Sequence, residues 1–74
     1  MHYLVFSNPH GSKLIDFGDE VLRLRSMMLE MQQVGQPGGR YAILNETMVR
    51  DTYLCDDFGI PVKDDDWLIR LDDL

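Results

Sequence analysis

Asp19-Glu20-Val21-Leu22-Arg23-Leu24-Arg25-Ser26-Met27-Met28-Leu29-Glu30-Met31-Gln32-Gln33-Val34-Gly35 is the most periodic stretch of this 74-residue chain, and its reading decides the fold. At 100° per residue, Val21, Leu24, Met27, Met28 and Met31 fall on one broad apolar stripe. Leu22 and Leu29, seven residues apart, form a second stripe, and Arg25 and Gln32 lie between the two. The spacing predicts a helix over residues 20–34. Asp19 suits its N-terminal cap, Glu20 adds negative charge where the helix dipole favours it, and Gly35 stands where a left-handed cap residue belongs. One apolar stripe is enough to cover a sheet, so the Leu22/Leu29 stripe is left for another surface.

Upstream, residues 3–6 (Tyr-Leu-Val-Phe) are a short run of β-formers followed by the turn residues Asn8-Pro9-His10-Gly11, and residues 14–17 resume an apolar pattern. This reads as a β-hairpin whose loop carries His10 and whose second strand is broken by Gly18. Downstream, residues 35–39 (Gly-Gln-Pro-Gly-Gly) read as a loop and residues 40–44 (Arg-Tyr-Ala-Ile-Leu) as a strand of the continuous apolar type. Residues 46–58 carry two readings: a helix capped by Asn45 and stopped by Gly59 with Pro61 behind it, or a strand over residues 47–54 returning through a tight Asn45-Glu46 turn. The helix is favoured, because two-residue hairpins prefer glycine at the second turn position and Glu46 is poorly suited to a positive φ. Finally Trp67-Leu68-Ile69-Arg70-Leu71 alternates, with Trp67, Ile69 and Leu71 on one face and Arg70 on the other.

The order of elements predicts an α+β fold. Residues 1–74 form a single small two-layer domain, in which a mixed or antiparallel sheet of roughly three to five short strands packs on one Met-rich amphipathic helix, with a second short helix as the favoured option. At this length one core seldom yields more than roughly 3–5 kcal/mol without a staple. Cys55 is the only cysteine, so no internal disulfide can form, and His2 and His10 stand alone without zinc-ligand spacing, His2 close to a chain end that is expected to fray. The remaining staple is association with another chain. The first residues lack a basic region and a long apolar run, which predicts a cytoplasmic protein without a signal segment or membrane span.

The charge is unevenly placed. Through Arg50, five acids face five bases; from Asp51 onward, eight aspartates meet only Lys63 and Arg70, so the formal charge of −6 lies in the last third. A surface of that sign attracts cations and basic protein faces and repels nucleic acid and anionic membranes.

The candidate chemical sites each have a plainer reading. Asp64-Asp65-Asp66 has the oxygen donors that calcium takes, but no twelve-residue ligand loop surrounds it, and a solvated turn is preferred. Asp56, Asp57, Asp72 and Asp73 lack the apolar setting that acid–base catalysis requires. His10 reads as a surface turn histidine. Cys55 is flanked by Asp56 and Asp57, which disfavour a thiolate, so it reads as a half-buried structural residue. The glycine-rich residues 36–40 leave a helix instead of entering one, unlike a phosphate-cradling loop. The sequence therefore argues against an enzyme and asks for no cofactor or metal.

The favoured expectation is an acidic protein-binding inhibitor that occupies a basic, nucleic-acid-binding surface of a target protein, without itself contacting nucleic acid or membrane. Anti-CRISPR and anti-restriction proteins of phage and nuclease immunity proteins offer an analogy in size and charge. The partner-binding residues expected on this reading are Asp56, Asp57, Asp64, Asp65, Asp66, Asp72 and Asp73, together with Leu22 and Leu29. The alternative is a homo-oligomeric structural or adaptor subunit, such as a homodimer, associating through the Leu22/Leu29 stripe.

Overall fold

The computed structural model describes residues 1–35 and 38–73. Strands β1 (His2–Asn8) and β2 (Gly11–Gly18) lead to helix α1 (Val21–Val34), strand β3 (Arg40–Asn45), helix α2 (Glu46–Thr52), strands β4 (Lys63–Asp64) and β5 (Trp67–Leu68), and a 3-10 turn at Leu71–Asp73. The strands form one antiparallel sheet in the order β3-β1-β2-β5-β4. This is an α+β fold in which the sheet packs on a helix.

Tyr3, Leu4, Val5 and Phe6 of the central strand β1 are all buried. Successive strand side chains point to opposite faces, so this apolar run needs cover on both. Tyr3 and Val5 join Val49 and Tyr53, from α2 and its end, and Leu68 of β5 in one core cluster. Leu4 and Phe6 point the other way, toward α1, whose Leu24 is fully buried. Phe6 meets Tyr41 of β3 with ring centroids 4.8 Å apart. A Cβ at position 39 would collide with the Phe6 ring, so the approach to β3 needs Gly39.

The hairpin forms as the sequence predicts, with Pro9-His10 at its tip and Asn8 Oδ1 accepting the His10 N–H at 2.8 Å. His2 pairs with Gly18 on one side and Asn45 on the other, so it is a strand residue and not part of a frayed end. A register shift opposite Leu4/Val5 leaves Ile15 as an extra residue in β2. Leu14 therefore packs against the Tyr3 cluster, while Asp16, two residues on, serves the other face and binds Arg23 of α1 at 2.7 Å. That guanidinium, helped by the Phe17 N–H, holds the Asp16 carboxyl below its ordinary value.

Three expectations are corrected. Helix α1 starts at Val21 with Glu20 at the cap position and no side-chain cap bond; Asp19 instead lies 3.5 Å from the amino terminus. The second helix begins as predicted, with Asn45 Oδ1 accepting the Met48 N–H, but it ends at Thr52 and not near residue 58. Gly59, at φ 80°, belongs to a later loop, where its carbonyl accepts the Tyr3 hydroxyl at 2.9 Å. In the last segment Leu68 turns inward, because its pairing with Ser12 puts it on the Tyr3/Val5 face; Trp67 and Ile69 are half-buried and Leu71 is exposed in the 3-10 turn. Of the loop expected at residues 35–39, Gln36 and Pro37 lie outside the described residues.

The main stripe of α1 faces the sheet: Leu24 is buried and Val21, Met27, Met28 and Met31 are half-buried. Leu24→Ala should cost about 2–5 kcal/mol, comparable with the whole stability of a domain this small, so urea titration followed by circular dichroism should find the variant largely unfolded. Leu22→Ala, at an exposed position, should stay within about 0.5 kcal/mol of the parent.

Because the folded Asp16 carboxyl has a depressed pKa, its stabilisation is fully present above the ordinary carboxylate range and is lost as pH falls through the lower folded value. Asp16→Asn should lower Tm at neutral pH and flatten the decline in Tm on acidification; an unchanged acid limb would contradict this ion pair.

Candidate protein-binding surface

The acids of the last third stand on short, loop-like elements, so their positions depend on backbone geometry. Strands β4 and β5 are joined by Asp65 and Asp66 at φ 48° and 71°, the left-handed values that a type I′ hairpin demands at both central residues. The expected solvated turn is present, and residues 63–66 are all exposed. Among the described residues no group of three or more His, Cys, Asp or Glu side chains is placed to hold a metal.

This hairpin and the 3-10 turn bring distant acids together. Asp64, Asp65 and Asp73 line an open groove of about 450 Å³ with His10 and Trp67. Lys13 Nζ lies 5.0 Å from the Trp67 ring centroid, within cation–π range, and the His10 ring is 6.3 Å away. Beyond the same C-terminal segment, Asp72 and Asp51 border a second depression of about 260 Å³ with Thr52 and Arg70. Both depressions are shallow and lined by carboxylates, which fits contact with a cationic surface better than enclosure of a small apolar ligand. Lys13, Arg70 and Lys63 offset part of the field, so the surface is acidic with embedded cations.

The other expected contacts lie elsewhere. Asp56 is committed to its own loop: its Oδ1 accepts the Phe58 N–H at 2.9 Å and the Ile60 N–H at 3.0 Å, while its backbone N–H donates to Ile60 O. It is a loop-shaping residue. Asp57 is exposed in that loop, and Phe58 beside it is 85% exposed. Leu22 and Leu29 are 76% and 51% exposed on α1; they line neither acidic depression. Asp66 is exposed at the hairpin tip but lines neither depression.

Sequence reasoning counted Asp51 in the acidic third without naming it as a contact, and it missed Trp67 and Phe58 as surface features. Phe58 was hidden inside the over-long helix prediction, and Trp67 was read only as sharing a face with Ile69 and Leu71. The one available signal was Trp67 directly following three aspartates, an unusual place for a large aromatic ring meant for a core.

Cys55 is half-buried, packs beside the core cluster and lies with its Sγ 3.5 Å from Tyr53 O. Burial, more than the neighbouring Asp56, raises its thiol pKa, while Arg50 acts in the opposite sense. A thiol held protonated is a poor nucleophile at neutral pH.

No helix among the described residues is long and apolar enough to cross a membrane. No protein-family model matches the chain, and no curated protein or solved structure matches it either. What the surface does has to be argued from its own chemistry.

The Asp65-Asp66 turn places two L-residues, both negatively charged, where Asn-Gly is preferred. Replacing them by Asn-Gly should raise stability by about 0.5–1 kcal/mol, or roughly 2–8 °C in Tm for a domain of this size. A thermal melt of the double variant at or below the parent Tm would contradict the turn assignment.

Proposed function

We propose that this protein is a non-enzymatic, acidic protein-binding inhibitor that acts in the cytoplasm by occupying a basic surface of a target, the kind of surface that otherwise holds nucleic acid. The observation that carries the reading is the convergence of Asp64, Asp65 and Asp73 around Trp67, with Asp72 and Asp51 on the adjoining depression. Carboxylates spaced over a compact scaffold present a basic partner with charges where it expects phosphates, and they steer encounter over long range. Trp67 offers a ring face for an arginine or lysine of the target, a role that Lys13 already models from within the chain. Phage anti-defence and nuclease immunity proteins remain the analogy in size and charge.

A second reading is a homo-oligomeric adaptor that associates through α1, supported by the exposure of Leu22 and Leu29. Replacing both leucines by Glu would abolish self-association on that reading; on the first it would remove only whatever contact the two leucines add, because neither lines the acidic depressions.

The test starts from proteins retained by the tagged chain in its native host. They should be basic nucleic-acid binders, and added nucleic acid should compete with the chain for them. Exchanging Asp64, Asp65, Asp66, Asp72 and Asp73 for Asn should slow association by an order of magnitude or more, while single exchanges cost about 0–1 kcal/mol each. Asn accepts the left-handed φ of the hairpin tip, so the fold should persist. Association should weaken as salt rises to physiological strength, where the Debye length is about 8 Å. An association rate unchanged across both the salt series and the Asn series would refute the proposal.

A further inference from the structure

The strand order leaves two sheet edges. One is the two-residue β4; the other is the six-residue β3. Natural edge strands are blunted by shortness, a central charge, a proline or a cover. The first device describes β4. None of the intrinsic devices describes the middle of β3, where Tyr41-Ala42-Ile43-Leu44 carries no charge and no proline. Ala42 is exposed there, although it pairs with the buried Val5. Among the described residues, residues 40–45 make no backbone hydrogen bond beyond those of the β1–β3 ladder and the first turn of α2.

We propose that the free edge of β3 pairs antiparallel with β3 of a second copy, about a two-fold axis at Ile43, so that two five-stranded sheets join into one. The symmetry restricts the register. A two-fold axis perpendicular to the sheet pairs only residues that share a face, so the residue numbers of every pair must sum to an even value. Centring on Ile43 sets Ala42 against Leu44 of the second copy and Tyr41 against Asn45. Arg40 then stands near Glu46, the first residue of α2, just past each end of the paired edge. Arg40 is exposed and makes no ion pair among the described residues. Glu46 also meets the amino terminus at 3.0 Å and Arg50 at 4.0 Å, so Arg40 of the second copy would share a carboxylate that is already paired within its own chain; an isologous pairing closes as a dimer instead of growing into a filament.

Long-range electrostatics select the same edge. β3 lies within the neutral part of the chain, and the acidic β4–β5 hairpin is at the far side of the sheet. With strands about 4.8 Å apart, pairing through β3 puts the two β4 strands nine spacings, or roughly 43 Å, from each other. That is several Debye lengths at physiological salt, about 8 Å each. Pairing through β4 would bring the hairpin aspartates of both copies together. The dimer therefore leaves the acidic surface free, and it stands whether or not that surface binds a target.

Sedimentation equilibrium of the full chain at physiological salt, from low micromolar to near-millimolar concentration, should show a mass rising from one copy to two. Ala42→Lys should weaken the dimer at least tenfold without changing circular dichroism. Arg40→Glu and Glu46→Arg should each weaken it, because each puts like charges at both ends. An equimolar mixture of these two variants should recover a heterodimer, since Glu then meets Arg at both ends. The double exchange of Leu22 and Leu29 to Glu should leave the dimer intact. A monomer at every concentration, a dimer insensitive to Ala42→Lys, a dimer abolished only by the leucine exchanges, or no recovery in the mixture from two variants that each keep the parent circular dichroism would overturn the proposal.

Discussion

Tyr3-Leu4-Val5-Phe6 cannot be half-buried. Four consecutive apolar side chains on a central strand oblige the fold to supply cover on both faces, and the remaining elements are arranged to do so. Helix α1 covers the Leu4/Phe6 face; α2, the segment after it and Leu68 cover the Tyr3/Val5 face. A single-sided sheet would have needed only the first. The need for a second cover explains why α2 stops at Thr52, since Tyr53 must leave the helix to reach the cluster and bridge to Arg70.

The same requirement governs polar details. An even strand would place Leu14 and Asp16 on one face, burying a carboxylate or exposing a leucine. The extra residue at Ile15 separates them, so that Leu14 joins the core and Asp16 reaches Arg23. On the far side, the Tyr3 hydroxyl extends from the core to the Gly59 carbonyl and ties the loop shaped by Asp56 to the central strand. Burial raises the pKa of that hydroxyl, so it remains a donor throughout the neutral range.

The parts legible in the sequence were those governed by local periodicity. The stripe of Val21, Leu24, Met27, Met28 and Met31, the Asn8-Pro9-His10-Gly11 turn and the Asn45 cap each announce an element through the physics of that element alone. The misread parts were decided by tertiary contacts. Gly59 has the composition of a helix stop, but its positive φ serves a loop instead, because Tyr53 is worth more in the core than in another helical turn. Trp67, Ile69 and Leu71 form the better-looking apolar face, yet the pairing of Ser12 with Leu68 sets the face that turns inward. The acidic surface was legible as a charge imbalance but not as a geometry. Nothing in the spacing indicates that Asp64, Asp65 and Asp73 meet around Trp67, or that Asp56 is consumed by its own loop.

The two kinds of aspartate in the last third invite different explanations. Asp56 satisfies two backbone donors, and a structural role accounts for it fully. Asp65 and Asp66 satisfy no such requirement: they hold left-handed backbone that costs a non-glycine residue of order 1 kcal/mol or more, and they place like charges side by side. Asn-Gly would make the same turn with less strain. When a sequence departs from the locally preferred choice without a structural gain, the departure points toward function. At this hairpin the retained property is negative charge, and Asp64 and Asp73, which line the same groove as Asp65 and Trp67, carry it too. On the proposed function, that charge is what the hairpin offers to a cationic partner.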